Sequence, residues 1–311
     1  MAKGFVVNTP YDDVFRTMLN DCSRLIIPVI NEIFCENYRG DEKIVFSPEI
    51  HFVNQQDGEE TKRITDSSFE IIGEKETKFL LECQSTADSS MLIRIFEYAT
   101  QIALDQGELE NNVLKVEIPR SAILFLRSNG ATPDKMTIEI KTPGGVNSFD
   151  VPVMKAQKYS IDDIFEKGLL FLIPFYIFSH ESRFQEYELD EDALKELKIE
   201  YMEIVKRLDS LLEGGSISVY TKKMIVEMSN KVVNHLAQKY DNVKEGVTSI
   251  MGGKVLEYEA KQILNEGKIE GRIEQARETA QVLRGMGISE EKIAKAVNVS
   301  IGVLKEWFDA N

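Results

Sequence analysis

A chain of 311 residues, 43% hydrophobic and 29% charged, is long enough for one large domain or two ordinary ones and has the composition of a soluble globular protein. Its formal net charge of −15 divides into −10 over residues 1–180 and −5 over 181–311, which excludes a basic nucleic-acid-binding module in either half. A polyanionic substrate would need a local cluster of Lys and Arg, a divalent cation, or both to offset that field.

The opening residues, MAKGFVVNTPYDD, lack a basic stretch followed by a long apolar segment, so no export signal is expected. From Tyr11 to Cys35 apolar residues recur at helical spacing, interrupted near Asn20 to Ser23 and at Pro28, which predicts two short helices. Cys22, Cys35 and Cys83 are odd in number and lack C-x-x-C spacing, which points to reduced thiols and a cytoplasmic location. Lys43 to Val53 alternates as a strand does and runs into the turn composition NQQDGEE. Two strands are expected at Lys62 to Ile72 and Lys78 to Ser85, joined by GEKET. A helix follows from about Asp88 to Leu104, striped by Leu92, Ile95, Phe96, Ala99, Ile102 and Ala103. Strand-like segments at Arg120 to Leu126, Met136 to Lys141 and Phe149 to Met154 complete a mixed α/β unit.

Beyond YSIDDIF the pattern is helical almost without a break. GLLFLIPFYIF, Gly168 to Phe178, is well short of the roughly 17 residues a membrane span needs, so a buried helix and no membrane partner are expected. Amphipathic helices are predicted between Asp190 and Glu213 and between Val219 and Lys239, parted at Gly214-Gly215. Their charged faces, with the following NEGKIEGRIEQAR, suggest self-pairing and hence a homo-oligomer. The last segment, MGISEEKIAKAVNVSIGVLKEWF, holds two short apolar runs broken at Asn298 to Ser300, a helix-turn-helix-like pattern. Lys305 beside Glu306 and Asp309 is a poor endowment for reading a groove, so a packing hairpin is the expectation.

The second strand of the GEKET hairpin carries the chemistry. Phe79, Leu81 and Cys83 share one face, and Lys78, Leu80, Glu82 and Gln84 the other. With the turn centred on Lys75, Asp66 would stand opposite Gln84 and diagonal to Glu82. Two carboxylates that close repel unless one is protonated or a cation lies between them. Asp66 and Glu82 are thus candidate ligands for Mg²⁺, with Mn²⁺ or another divalent cation as a substitute, and that ion would activate water against a phosphodiester. Gln84 cannot ionise, but its amide can hold the water or a phosphate oxygen. Arg94, Lys62 and Lys78 are the nearest cationic candidates for phosphate contact. Asp, Glu and Gln are also what any half-solvated hairpin displays. Three scattered His, no G-x-S-x-G and no glycine-rich phosphate loop leave no support for a triad or a nucleotide cofactor.

YDDVFR, TDSSFEI, LLECQSTAD and MLIRIFEYATQIAL together resemble the Rpn family of recombination-promoting nucleases, within the PD-(D/E)XK nuclease superfamily; the likeness continues through FLIPFYIFSHE and the Glu-Gly tail. The resemblance implies a nuclease-like α/β core over residues 1–180, with a central mixed sheet flanked by helices. A mostly α-helical region, 181–311, would follow it. It also implies magnesium-dependent cleavage of DNA in recombination, mobile-element biology or defence. Carried over by position, Asp66 matches the first acid, Glu82 the second, and Gln84 the place where the superfamily has Lys. Asp12, in D-x-x-F-R, matches the acid of the first helix. The missing Lys keeps two alternatives open: an inactive nuclease fold that binds or regulates, and a transposition accessory protein.

Overall fold

The computed structural model describes residues 10–46, 50–56, 59–65, 67–86, 90–252, 276–277, 279–297, 299 and 301–309, with the backbone course alone over 50–56, 59–65, 305–306 and 309. The chain divides into two compact units, Met1–Gly253 and Lys254–Asn311. Residue 180, the boundary implied by the resemblance, lies inside the first.

Helix α1 spans Pro10–Asp21, because Val14, Phe15, Met18 and Leu19 fall on one stripe and all four are buried. Asp12 and Asp13 sit in its first turn, where the exposed N–H groups favour negative charge. A short 3-10 turn, Ser23–Leu25, leads into α2, Ile26–Phe34. That helix stops at Cys35, which takes a left-handed conformation at φ 55°.

Strands β1 (Lys43–Phe46), β4 (Ser68–Ile72), β5 (Glu76–Gln84), β8 (Arg120–Phe125), β9 (Lys135–Thr142) and β10 (Gly145–Lys155) form one mixed sheet in the order β1-β4-β5-β8-β10-β9. The pairs β5/β8 and β8/β10 are parallel and the others antiparallel. Strands β2 (Ile50–Gln56) and β3 (Glu59–Thr65) pair with each other apart from that sheet, as do β6 (Glu108–Glu110) and β7 (Val113–Lys115). The expected strand from Lys62 to Ile72 is therefore two strands with different partners.

Both faces of the sheet are covered, which is why β8 reads as an unbroken buried run after Arg120. Helix α3, Met91–Asp105, lays Met91, Ile95, Tyr98, Ala99 and Ile102 over Leu80, Ile123, Phe125, Ile138 and Val151. Each fully buried aliphatic side chain there contributes about 1.5–3 kcal/mol. On the other face Phe79 meets Phe34 of α2 with ring centroids 5.3 Å apart.

The long apolar run is buried as expected, but Leu170–Arg183 winds as 3-10 turns around Pro174. A proline inside a helix removes a donor and crowds the preceding turn, so the residues around it abandon α-geometry. Helix α4 (Ile161–Glu166) precedes it, opened by a capping box of Ser160 and Asp163. Helices α5 (Phe184–Leu189), α6 (Glu191–Glu213), α7 (Val219–Leu236) and α8 (Asp241–Met251) complete the unit. Phe15 and Tyr11 of α1 pack edge-on against Phe171 and Phe178 of the 3-10 segment, at 5.3 and 4.9 Å. Among the described residues no helix is long and apolar enough to cross a membrane.

Among its described residues the second unit has three helices, α9 (279–285), α10 (Glu290–Ala296) and α11 (Ile301–Asp309), the last two flanking the expected break. Their core is Ala280, Ile293, Ala294, Leu304, Trp307 and Phe308. Gly287, at φ 76°, makes the left-handed turn that ends α9.

Candidate active site

Glu82 and Gln84 lie at the carboxyl end of β5, where it runs parallel to β8 and Gln84 stands beside Phe125. Crevices outside the carboxyl ends of parallel strands are where open α/β sheets place their ligands. The turn of the β4–β5 hairpin differs from expectation. Ser68 pairs with Leu80 and Ile72 with Glu76, so the turn centres on Glu74 and not on Lys75. Moving the centre by one residue shifts each pairing by two, which preserves the faces and changes the partners. Asp66, and with it the expected pairing to Gln84, lies outside the described residues.

The Glu82 carboxylate accepts a hydrogen bond of 2.9 Å from the Ser67 hydroxyl. Its pKa is raised, first by burial, which penalises the charged form. The Ser67 bond and the nearby charges of Arg94 and Arg16 pull the other way, while Asp12 pushes it further up. Helix α1 thus brings an acid and a base near Glu82, and α3 brings a second base. Asp12 also helps raise the Cys83 thiol, behind the larger effect of burial.

Arg94 Nη2 donates to Gln84 Oε1 at 3.1 Å and to Met91 Sδ at 3.7 Å. Guanidinium only donates, so Gln84 engages it through its carbonyl oxygen, and the NH₂ is the end with which Gln84 would meet a phosphate oxygen. The sequence reading gave these two residues separate tasks; in the structure they are one unit. Lys78 is half-buried on the same strand face, four residues before Glu82 and opposite Glu70, about 13 Å away at the usual strand rise. The side chain of Lys62 lies outside the described residues. Asp13 pairs instead with Lys231 of α7.

The sequence reading missed two members, Ser67 and Arg16. Arg16 stands four residues after Asp12, one helical turn along the same face, and that spacing within YDDVFR was the available signal. Ser67 offered none: alternation puts it with Phe69, yet its hydroxyl reaches Glu82 from the strand's end. Among the described residues no three His, Cys, Asp or Glu side chains converge as a ready-made metal cluster.

Comparison with family models, curated proteins and solved structures returned no match.

Proposed function

We propose that this chain is a divalent-metal-dependent DNA endonuclease acting in the cytoplasm, with Glu82 at its centre. The observation that carries the reading is a carboxylate raised in pKa by burial at the carboxyl end of a parallel strand, with two arginine charges and a second acid around it. A half-buried carboxylate under that penalty either takes a proton or is held ionised by a cation, and the donors at hand are the hard oxygens that Mg²⁺ and Mn²⁺ prefer. In donor chemistry the described residues fit such an ion, but by themselves they are fewer than a ready-made cluster. Glu82 would hold it, joined by Asp12 and, on the strength of the family resemblance, Asp66.

The bound ion would supply Lewis acidity to the scissile phosphodiester and a lowered water pKa. The chain's own residues would do the rest. Ser67 orients one oxygen of Glu82, leaving the carboxylate's other lone pairs to the ligand. Arg94 and Arg16 offset the phosphate charge as it grows in the transition state. Gln84, its carbonyl end held by Arg94, directs its NH₂ at a phosphate oxygen.

Gln84 also favours a second reading, an inactive nuclease fold that still binds metal and nucleic acid, because an amide cannot supply the positive charge of the superfamily's Lys. One experiment addresses both. Purified protein is incubated with supercoiled plasmid and Mg²⁺ beside Glu82→Ala and Asp66→Ala variants. Nicking by the parent alone supports the enzyme, equal nicking by all three eliminates this site, and none by any of them favours the inactive fold.

A further inference from the structure

Arg127 lies two residues past β8, at the end of the sheet where Glu82 and Gln84 stand, and the Leu126 N–H just before it donates to the Gln84 carbonyl at 2.9 Å. Its guanidinium donates to both carboxylate oxygens of Glu181, at 2.5 Å from Nε and 2.7 Å from Nη2. A two-point pair of this kind fixes the plane of the guanidinium as well as its place. The central carbon of that group lies 4.8 Å from the ring centroid of Phe178 and 6.0 Å from that of Tyr11, and the group also donates to the Tyr11 hydroxyl. With 30% and 32% of the two charged side chains exposed, screening leaves the ion pair no more than about 1 kcal/mol of stability. Its larger effect is on orientation.

Tyr11 is the residue so oriented. It is 6% exposed, and the rings of Phe178 and His235 meet it edge-on at 4.9 and 5.2 Å. Packing on several sides, together with a hydrogen bond at the tip, holds a side chain to one rotamer. Asp12 comes next in the first turn of α1, and its charge acts on both Glu82 and Cys83. A helix carries neighbouring side chains on one backbone of fixed geometry, so whatever fixes Tyr11 fixes the origin of Asp12. We infer that Arg127, held by Glu181, is a positioning residue: by way of Tyr11 it sets where the Asp12 carboxylate stands relative to Glu82. The inference rests on the reading of Asp12 and Glu82 as ligands of a divalent cation, and it extends that site by a supporting pair drawn from the end of β8 and the 3-10 segment.

Calorimetric titration of the full chain with Mn²⁺, in the absence of DNA, tests this, with circular dichroism as the check on folding. Asp12→Asn should weaken binding, and Arg127→Gln should weaken it by about tenfold, the lower end of what loss of a ligand's supporting partner costs. The sign is informative, because removing a positive charge near a cation site would by Coulomb's law alone tighten binding. The double variant should bind no more weakly than Asp12→Asn, since residues that act through one another are not additive. If Arg127→Gln fails to fold, Glu181→Gln breaks the same pair and is read beside Asp12→Asn in the same way. Equal or tighter binding by Arg127→Gln, binding indifferent to Asp12→Asn, or a double variant weaker than Asp12→Asn would each overturn the inference and leave Glu82 as a metal ligand. A parent that binds no Mn²⁺, or that binds it unchanged after Glu82→Ala, would overturn both readings together.

Discussion

Burial raises the pKa of Glu82, so the folded protein holds that proton more tightly than the unfolded chain does. Stability from this group is therefore complete below the unfolded carboxylate value of about 4.3 and declines as pH rises through the raised one. At neutral pH Glu82 is a cost to the fold, and Glu82→Gln should stabilise the protein by about 1 kcal/mol, read as a higher denaturation midpoint. Millimolar Mg²⁺ should raise the midpoint of the parent and leave that of Glu82→Gln unmoved, since only a ligand that binds the folded state shifts it. A variant no more stable than the parent would show that the carboxyl is solvated after all. At this scale the sequence was partly readable. Glu82 and Gln84 announce themselves as polar residues closing an apolar strand, but Ser67 reaches Glu82 against the alternation rule, and no residue count foretells that. The link from Arg94 to Gln84 joins residues ten apart on different elements, which spacing alone does not reveal.

The 3-10 segment Leu170–Arg183 is tied to α6 by polar groups sunk among aromatic rings. Tyr176 donates to Glu200 at 2.6 Å, His180 Nε2 lies 3.1 Å from the same oxygen, and His180 Nδ1 is 2.9 Å from the Tyr187 hydroxyl. Close approach of His180, and then the Tyr176 bond, lower the Glu200 pKa against the desolvation that raises it. A lowered carboxylate adds stability above its unfolded value and loses it as pH falls through the folded one. Glu200→Gln should therefore cost about 1 kcal/mol at neutral pH, discounted for the partial exposure of the side chain, and the deficit should vanish in acid. Parallel urea titrations at neutral pH and at pH 3 measure the difference, and a deficit unchanged in acid would refute the assignment. Most helices and strands were legible, because period 3.6 survives in α1, α3, α6 and α7, period 2 survives in β9, and β8 stands out as an unbroken apolar run. The hairpin turn was not, since centres at Glu74 and Lys75 preserve the same faces and only the ladder chooses. Nor does an apolar run declare whether it winds as α or 3-10; Pro174 was the one hint.

Contacts separate residues 1–253 from 254–311, and the aromatic and aliphatic core of the last three helices is drawn from within its own unit. A chain ending at Gly253 should accordingly unfold in one cooperative transition, with a midpoint within a few degrees of the corresponding transition in the full chain. A truncated product that never folds would mean that the α/β unit depends on the helices it lost. The family resemblance implied a division at residue 180. The division by contacts comes later because α7 packs on both α1 and the 3-10 segment, long-range pairings with no signature in local pattern.

Asp12 and Asp13 are neighbours on α1, so their side chains leave the helix about 100° apart. One leans its charge on the Glu82 pocket, and the other is tethered to Lys231 on α7. The first helix is in effect an axle with two spokes. Adjacent residues of one helix thus join Lys231 on α7 to the charge that acts on Glu82, so replacing Lys231 alters the surroundings of the carboxylate without touching it.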